Sequence, residues 1–445
     1  MKAIFGKKIF RLVLGALLAT QAVSAQEVTE APADTLASVI ESLQSDLSVL
    51  QRIKFSGYIQ AQYQKADTIG SPAGFSGDDF KGLDNRFAVR RGRLKVAYTN
   101  ELSNYVLQID ATEKKLGLKD AYVQFTDPWI NVATVTGGVF NRPFGFEVEY
   151  SSASLESPER SRICQTLFPG EEDLGAKLTL QMPKTSNWSF IKLDAGLFNG
   201  NGINSETDKY KDFIGHLSAK KSFFSESVSV GLGASYYNGG FAEPVSSQAG
   251  AKFPHVYKMN GDVFKAIPDS GKVGDKAKRE YIGFDGQLSF QTAAGITQFR
   301  GEFITGTQPS YKSLNTTSIT NTLPASDDIY IRNFTGGYIY FIQSILNTKN
   351  EIVVKYDWYD PNTKISANQI GIAGSNTGKN DIKYSTIGLG WNYYWNSNVK
   401  LSAYYEWVAN EKTNAAPMLN ANNGVKTFAN DQKDNVLTLR LQYRF

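Results

Sequence analysis

Arg91, Arg93 and Lys95 occupy alternating positions in one short stretch, so an extended strand presents all three cations on a single face. A row of guanidinium and ammonium groups lowers the cost to an anion of shedding part of its water. Arginine's planar fork also suits phosphate or carboxylate. Two readings of the row stand side by side: it sorts ions, or it braces a wall by pairing with loop carboxylates. A second group of cations, Arg142, Arg160 and Arg162, lies in the segment 142–172 among Glu147, Glu149, Glu156, Glu159, Glu171 and Glu172, with Asp173 directly after. Lys114 and Lys115 flank a short connection, where they gather anions at a mouth or form a solvated charge run.

Catalysis finds little to work with. The chain has two histidines, His216 and His255, and one cysteine, Cys164. His216 and Ser218 share a strand face, but neighbours two apart on a strand stand beyond hydrogen-bond reach. Two isolated histidines and a lone thiol make a poor metal site and no internal disulfide. We expect no enzyme, no cofactor and no metal.

The elements that carry these charges are strands. From Ile53 onward apolar and polar positions alternate in stretches of about ten residues. In one, Leu437, Leu439, Leu441, Tyr443 and Phe445 oppose Thr438, Arg440, Gln442 and Arg444. In another, Ile387, Leu389, Trp391, Tyr393 and Trp395 oppose Thr386, Gly388, Gly390, Asn392 and Tyr394. About sixteen such segments follow one another, an even number of the kind a bacterial barrel uses. Tight connections such as 99–103, 127–131 and 396–398 alternate with mostly long polar ones such as 65–86, 142–172, 239–279, 307–333, 360–383 and 410–434. Short turns on one rim and long loops on the other suit an outer-membrane barrel better than a soluble sandwich. Tyr393-Tyr394-Trp395 and Tyr404-Tyr405 with Trp407 suit aromatic girdles at a bilayer interface. Closure is what permits strands in lipid, because no peptide group is left unpaired. The expected fold is all-β, a transmembrane antiparallel β-barrel over residues 52–445.

Ahead of it two segments read differently. Lys2, Lys7, Lys8 and Arg11, the apolar run Ile9–Leu18 and Val23-Ser24-Ala25 predict a signal peptide over residues 1–25. Taking its four basic residues from the 47 of the whole chain leaves the mature chain balanced against 43 acidic ones. The excess positive charge therefore belongs to the leader and gives no support to a nucleic-acid partner. In residues 26–51, Leu36, Ile40, Leu43, Leu47 and Leu50 repeat at steps of four and three, predicting a short periplasmic helix with a coiled-coil seam. That segment is too short for the plug of an active transporter, and such carriers have about twenty-two strands.

The stretch from Lys119 to Gly175 resembles the phosphate-selective porin O and P family of Gram-negative outer membranes. The matching pieces are Leu118-Lys119-Asp120-Ala121-Tyr122-Val123, Gly138-Val139-Phe140-Asn141-Arg142-Pro143-Phe144-Gly145, Ser157-Pro158-Glu159-Arg160-Ser161 and Pro169-Gly170. Further echoes are Leu197-Phe198-Asn199-Gly200-Asn201-Gly202 and Lys355-Tyr356-Asp357. The resemblance implies a sixteen-stranded trimeric pore whose third long loop, here 142–172, folds inward. One departure is Glu171-Glu172-Asp173, where family members tend to re-enter the barrel with arginines. The leading expectation is a passive outer-membrane porin for inorganic anions or small polar solutes, set in the lipid bilayer as a homotrimer. Its anion-contact candidates are Arg91, Arg93, Lys95, Lys114, Lys115, Arg142, Arg160 and Arg162. The alternative is a barrel whose loops 239–279 and 410–434 grip a glycan or a partner protein.

Overall fold

The computed structural model describes residues 33–69, 71, 80, 82–204, 206, 209–242, 255–267, 276–311, 328–413 and 428–445. The expected leader, the start of the 26–51 segment and central parts of the connections 65–86, 239–279, 307–333 and 410–434 lie outside the described residues. The chain divides into two compact units at Arg52/Ile53. In the first, helix α1 (Ala33–Gln51) carries the heptad pattern, and Ile40, Leu43, Leu47 and Leu50 are exposed on it.

The second unit is built of strands. β1 (Ile53–Ala66), β2 (Asn85–Asn100), β3 (Ser103–Ala111), β4 (Leu116–Thr126), β5 (Ala133–Asn141) and β6 (Glu172–Gln181) come first. β7 (Ile191–Phe198), β8 (Asp212–Phe223), β9 (Val228–Ala242) and the small pair β10 (Val256–Asn260) and β11 (Val263–Ala266) follow. β12 (Lys276–Thr292), β13 (Gly295–Tyr311), β14 (Ile329–Ser344), β15 (Asn350–Asp360), β16 (Tyr384–Tyr394), β17 (Val399–Asn410) and β18 (Val436–Arg444) complete the wall. Each wall strand pairs antiparallel with the next, β9 pairs with β12, and β18 returns to β1 with Tyr58 opposite Arg444 and Ala66 opposite Val436. The result is a closed sixteen-stranded barrel. At the seam the Phe445 N–H donates to Gly57 O at 3.0 Å and the Gly57 N–H returns the bond at 3.2 Å.

Outward side chains are the apolar set of the alternation. Ile59, Leu107, Phe284, Ile339, Leu389 and Leu441 are all exposed, as a lipid-facing surface requires. Trp391, Trp395, Trp407 and Tyr443 are exposed too. Tyr394 and Tyr404 correct the girdle expectation, because both turn inward. Tyr394 donates to Glu351 Oε1 at 3.1 Å, and Tyr404 is buried against Gly388 and Gly390, whose missing side chains make its room.

Short connections are held by local hydrogen bonding. Asp127 accepts the N–H groups of Trp129, Ile130, Asn131, Val132 and Ala133, and these, Ile130 first, draw its carboxyl down to about 2. Four strands outrun the alternation on the long-loop side: β9, β12, β13 and β14 each extend about four to five residues beyond the amphipathic stretch. The pair β10–β11 turns at Gly261-Asp262 and lays Val256–Lys258 parallel to Ile329–Ile331 of β14.

Candidate functional site

The connection 142–172 runs inside the barrel, and nearly all of it is buried. Its two ends pack on an apolar wall: Phe144, Val148, Ile163, Leu167 and Phe168 join Tyr237, Tyr281, Phe334, Tyr338 and Tyr340 in one buried cluster. Polar pins fix the same stretch. Gly145 N–H donates to Ser235 Oγ at 2.9 Å, and Phe146 and Glu147 N–H both donate to Glu302 at 3.3 and 3.2 Å. Glu147 then accepts from Ser161 N–H at 2.9 Å and from Tyr340 OH at 3.2 Å.

The segment 152–160 is held by side chains of the wall from β13 round to β2. Arg300 on β13 grips Glu156 at 2.9 Å, Asn392 on β16 donates to Glu156 O at 3.0 Å, and Lys400 on β17 donates to Leu155 O at 2.8 Å. Gln442 on β18 donates to Ala153 O at 2.9 Å, and Gln60 on β1 to Ser152 O at 3.1 Å. Glu159 takes Arg90 at 2.8 Å, Arg91 at 2.7 Å and Arg440 at 2.9 Å, three guanidiniums on one carboxylate. Burial pushes that carboxyl up, yet the three arginines together hold it well below the usual carboxylate range.

Short helix α2 (Arg162–Leu167) leads back to the wall, and Arg142 ties the two ends of the loop together. Its guanidinium donates to Pro169 O and Glu172 O at 3.1 Å each and to Glu171 O at 3.3 Å. Arg160 donates to Glu147 O at 2.8 Å and Tyr150 O at 2.6 Å and pairs with Glu171 at 2.8 Å. Arg162 lies over the Tyr384 ring, 4.1 Å from its centroid, with Asp434 close enough to feel its charge.

The lumen is therefore occupied unevenly. Inward residues of β13–β18 such as Arg300, Lys355, Asn392, Lys400 and Arg440 are buried under the loop. Several inward residues of β2–β7, among them Lys95, Gln108, Asp120, Lys177 and Lys192, are half-exposed. On that side a cavity of about 990 Å³ opens between β2–β4, the loop return 165–172 and residues 200–204. Nine basic residues line it: Arg86, Arg90, Arg91, Arg93, Lys114, Lys115, Lys119, Arg142 and Arg279. Only four acidic ones do: Asp110, Glu113, Glu171 and Glu172.

Of the eight cations singled out from sequence, Arg91, Arg93, Lys114, Lys115 and Arg142 line this cavity. Lys95 faces the open side next to Asp120, while Arg160 is buried within the loop's own packing and Arg162 against Tyr384 of β16. Lys114 and Lys115 are exposed. Arg93 pairs with Asp110 at 3.0 Å and approaches Glu171 at 3.9 Å.

Sequence reasoning missed Arg86, Arg90, Lys119 and Arg279. Strict alternation puts Arg90 and Lys119 on the lipid face, since Arg91 and Asp120 point inward. A bulge lies at each: Gln60 pairs with Arg91 but Ala61 with Val89, and Gln108 pairs with Asp120 but Ile109 with Leu118. The extra residue turns its side chain to the lumen. Two consecutive charged residues inside a lipid-facing strand were the available signal. Arg279 sits on the extension of β12, donating to Gly200 O and Tyr237 OH at 2.9 Å each.

His216 faces Asp285 at 3.2 Å and Glu149 at 3.6 Å. Among the described residues no group of three or more His, Cys, Asp or Glu is placed to hold a metal ion. Asp434 yields a pH prediction. Burial raises its carboxyl to about 7, Arg162 pulling it down and Asp431 up, and its Oδ1 is buried with no hydrogen bond. A raised pKa means stability that is full below the unfolded value, about 3.9, and is lost as the pH climbs through about 7. Asp434→Asn should match the native protein at pH 4 and exceed it in thermal stability above pH 7. Parallel melting curves across the pH range would refute this if their gap stayed constant.

A closed sixteen-stranded barrel with amphipathic strands, an exposed apolar belt and a long loop folded into its lumen defines an outer-membrane porin, seated in the Gram-negative outer membrane. Residues 349–445, covering β15 to β18, match the family described as phosphate-selective porin O and P, which bears out the resemblance read from the sequence. Among solved structures, the anion-selective porin from Comamonas acidovorans is 12% identical, with a TM-score of 0.51 over 88% of this chain and 99% of that one. The outer membrane channel DcaP of Acinetobacter baumannii is also 12% identical, with a TM-score of 0.49 over 88% and 97%. The outer membrane protein OmpT of Vibrio cholerae, in its trimer form, is 11% identical, with a TM-score of 0.48 over 88% and 99%. No curated protein matches the chain. The alternative of a loop-based binding module is not favoured by these comparisons.

Proposed function

We propose that this porin conducts small solutes along the β2–β7 side of its lumen, with a lean toward anions such as phosphate, and that it conducts without catalysing a reaction. The basic excess lining the 990 Å³ vestibule carries this reading. A low-dielectric wall focuses such a field and raises the local concentration of counter-ions. Lys114 and Lys115 gather anions at the mouth, and Arg93 and Lys95 meet them inside. Arg91, Arg142, Arg160 and Arg162 serve chiefly as braces for the inner loop.

We also take residues 1–25 as a cleaved leader and the assembly as a homotrimer in which the segment 26–51 associates on the periplasmic side. The exposed seam of Ile40, Leu43, Leu47 and Leu50 supports that association. Purified protein in a planar bilayer under a potassium chloride gradient should show ohmic channels whose reversal potential favours chloride. A potential favouring potassium removes the anion preference, and absence of conductance removes the channel.

A further inference from the structure

Three cations converge on Glu171. Its carboxylate lies 2.8 Å from Lys119 Nζ, 2.8 Å from Arg160 Nη1 and 3.9 Å from Arg93 Nη2. Its side chain keeps 15% exposure, more than any of those partners, and it lines the vestibule beside Arg93 and Lys119. Burial raises its carboxyl, but Arg160, Lys119 and Arg93 outweigh this and keep it ionised.

None of the three cations depends on Glu171 alone. Lys119 also donates to Gly170 O at 2.7 Å and Glu172 at 2.5 Å. Arg160 keeps Glu147 O, Tyr150 O and Ser152 Oγ, and Arg93 keeps Asp110. The cradle stays in place when the carboxylate goes. The backbone makes the residue type conspicuous. Glu171 has φ +68, directly after Gly170 at φ +78, in the left-handed region that favours glycine or asparagine. A glutamate stands there against its own conformational preference, with its carboxylate engaged by the three cations.

We infer that Glu171 sets the ion selectivity of this channel: its carboxylate occupies, from within the chain, a three-cation cradle that would otherwise take an oxyanion from solution. The inference rests on the channel reading above. With Glu171 in place the cradle is largely neutralised and the vestibule passes solutes with weak preference. Without it, Arg93, Lys119 and Arg160 present their donors to a phosphate, sulfate or carboxylate group, which fits guanidinium forks and an ammonium well.

The test compares native protein with Glu171→Gln, Glu171→Asn and Glu171→Asp in planar bilayers. The asparagine variant suits the left-handed backbone, so its behaviour isolates charge from strain. Both neutral variants should raise the chloride-to-potassium permeability ratio by about fivefold, the effect of one charge acting through water at a few ångströms. In both, inorganic phosphate should block chloride current at lower concentration than in native protein, while Glu171→Asp keeps native selectivity. Conducting neutral variants with an unchanged reversal potential overturn the inference and leave the porin standing. Larger, unselective conductance in both would make Glu171 a brace and also overturn it. A native protein that never conducts overturns the channel reading itself, and this inference with it.

Discussion

Replacing Glu159 by glutamine is expected to free the inner loop from the β18 and β2 wall and raise single-channel conductance severalfold. Glu159 is 3% exposed, and Arg90, Arg91 and Arg440 reach it from two strands that lie on either side of β1. Glutamine has the same shape but no charge, so three guanidiniums would face one another without a counter-ion. Removing one partner of a buried ion pair costs about 3–5 kcal/mol, because the remaining charge stays desolvated. Admitting water is the cheapest relief, and water enters here only if the segment 152–160 withdraws. High salt should soften the effect by screening the arginines that the withdrawn segment leaves in water. Glu159→Asp keeps the charge and should fall between native and glutamine. A Glu159→Gln channel with native conductance at low salt would mean that Arg300 and Lys400, on the other flank, suffice to hold the loop.

The barrel was legible because lipid on one side and water on the other impose a two-residue rhythm on every strand. Ile387 to Trp395 against Thr386 to Tyr394 is that rhythm in full, and β16 forms where it runs. Where strands leave the membrane the contrast fades. β12 begins at Lys276, with Lys276 and Lys278 on one face and Arg279 on the other, so its extension reads as loop. The hairpin β10–β11 carried a local signal in Asn260-Gly261-Asp262, a turn sequence between two strand-forming runs. It was masked by the length of the polar connection around it.

The site was legible in part. Parity put Arg91, Arg93, Lys95 and Arg440 inside, where they are. It could not show that Arg91 would meet Glu159, sixty-eight residues away, because that pairing depends on how a non-periodic loop folds. The loop's own composition held a clue. Phe144, Val148, Leu155, Ile163, Leu167 and Phe168 are too many large apolar side chains for a segment lying in water. Bulges defeated parity at Arg90 and Lys119, since one extra residue reverses which face a side chain meets.

Phe168→Ala should release the other foot of the loop by a different route. The Phe168 ring is 1% exposed, 4.9 Å from Phe144, 5.9 Å from Tyr281 and 6.3 Å from Tyr237 between centroids. The Arg142 guanidinium lies 5.6 Å from its centre, so the ring also supports the group that ties the loop ends together. Truncating a buried phenylalanine costs about 3–5 kcal/mol, through lost transfer energy and the cavity left behind. The barrel ladder, closed from β1 to β18, owes nothing to this ring. The loop should therefore loosen well before the wall: tyrosine signals in the near-ultraviolet should melt earlier while far-ultraviolet β signal holds. Because no charge is uncovered, the loss should be insensitive to salt, opposite to Glu159→Gln. A single coincident transition in the variant would show that loop and wall unfold together, and that the apolar cluster belongs to the barrel's own stability.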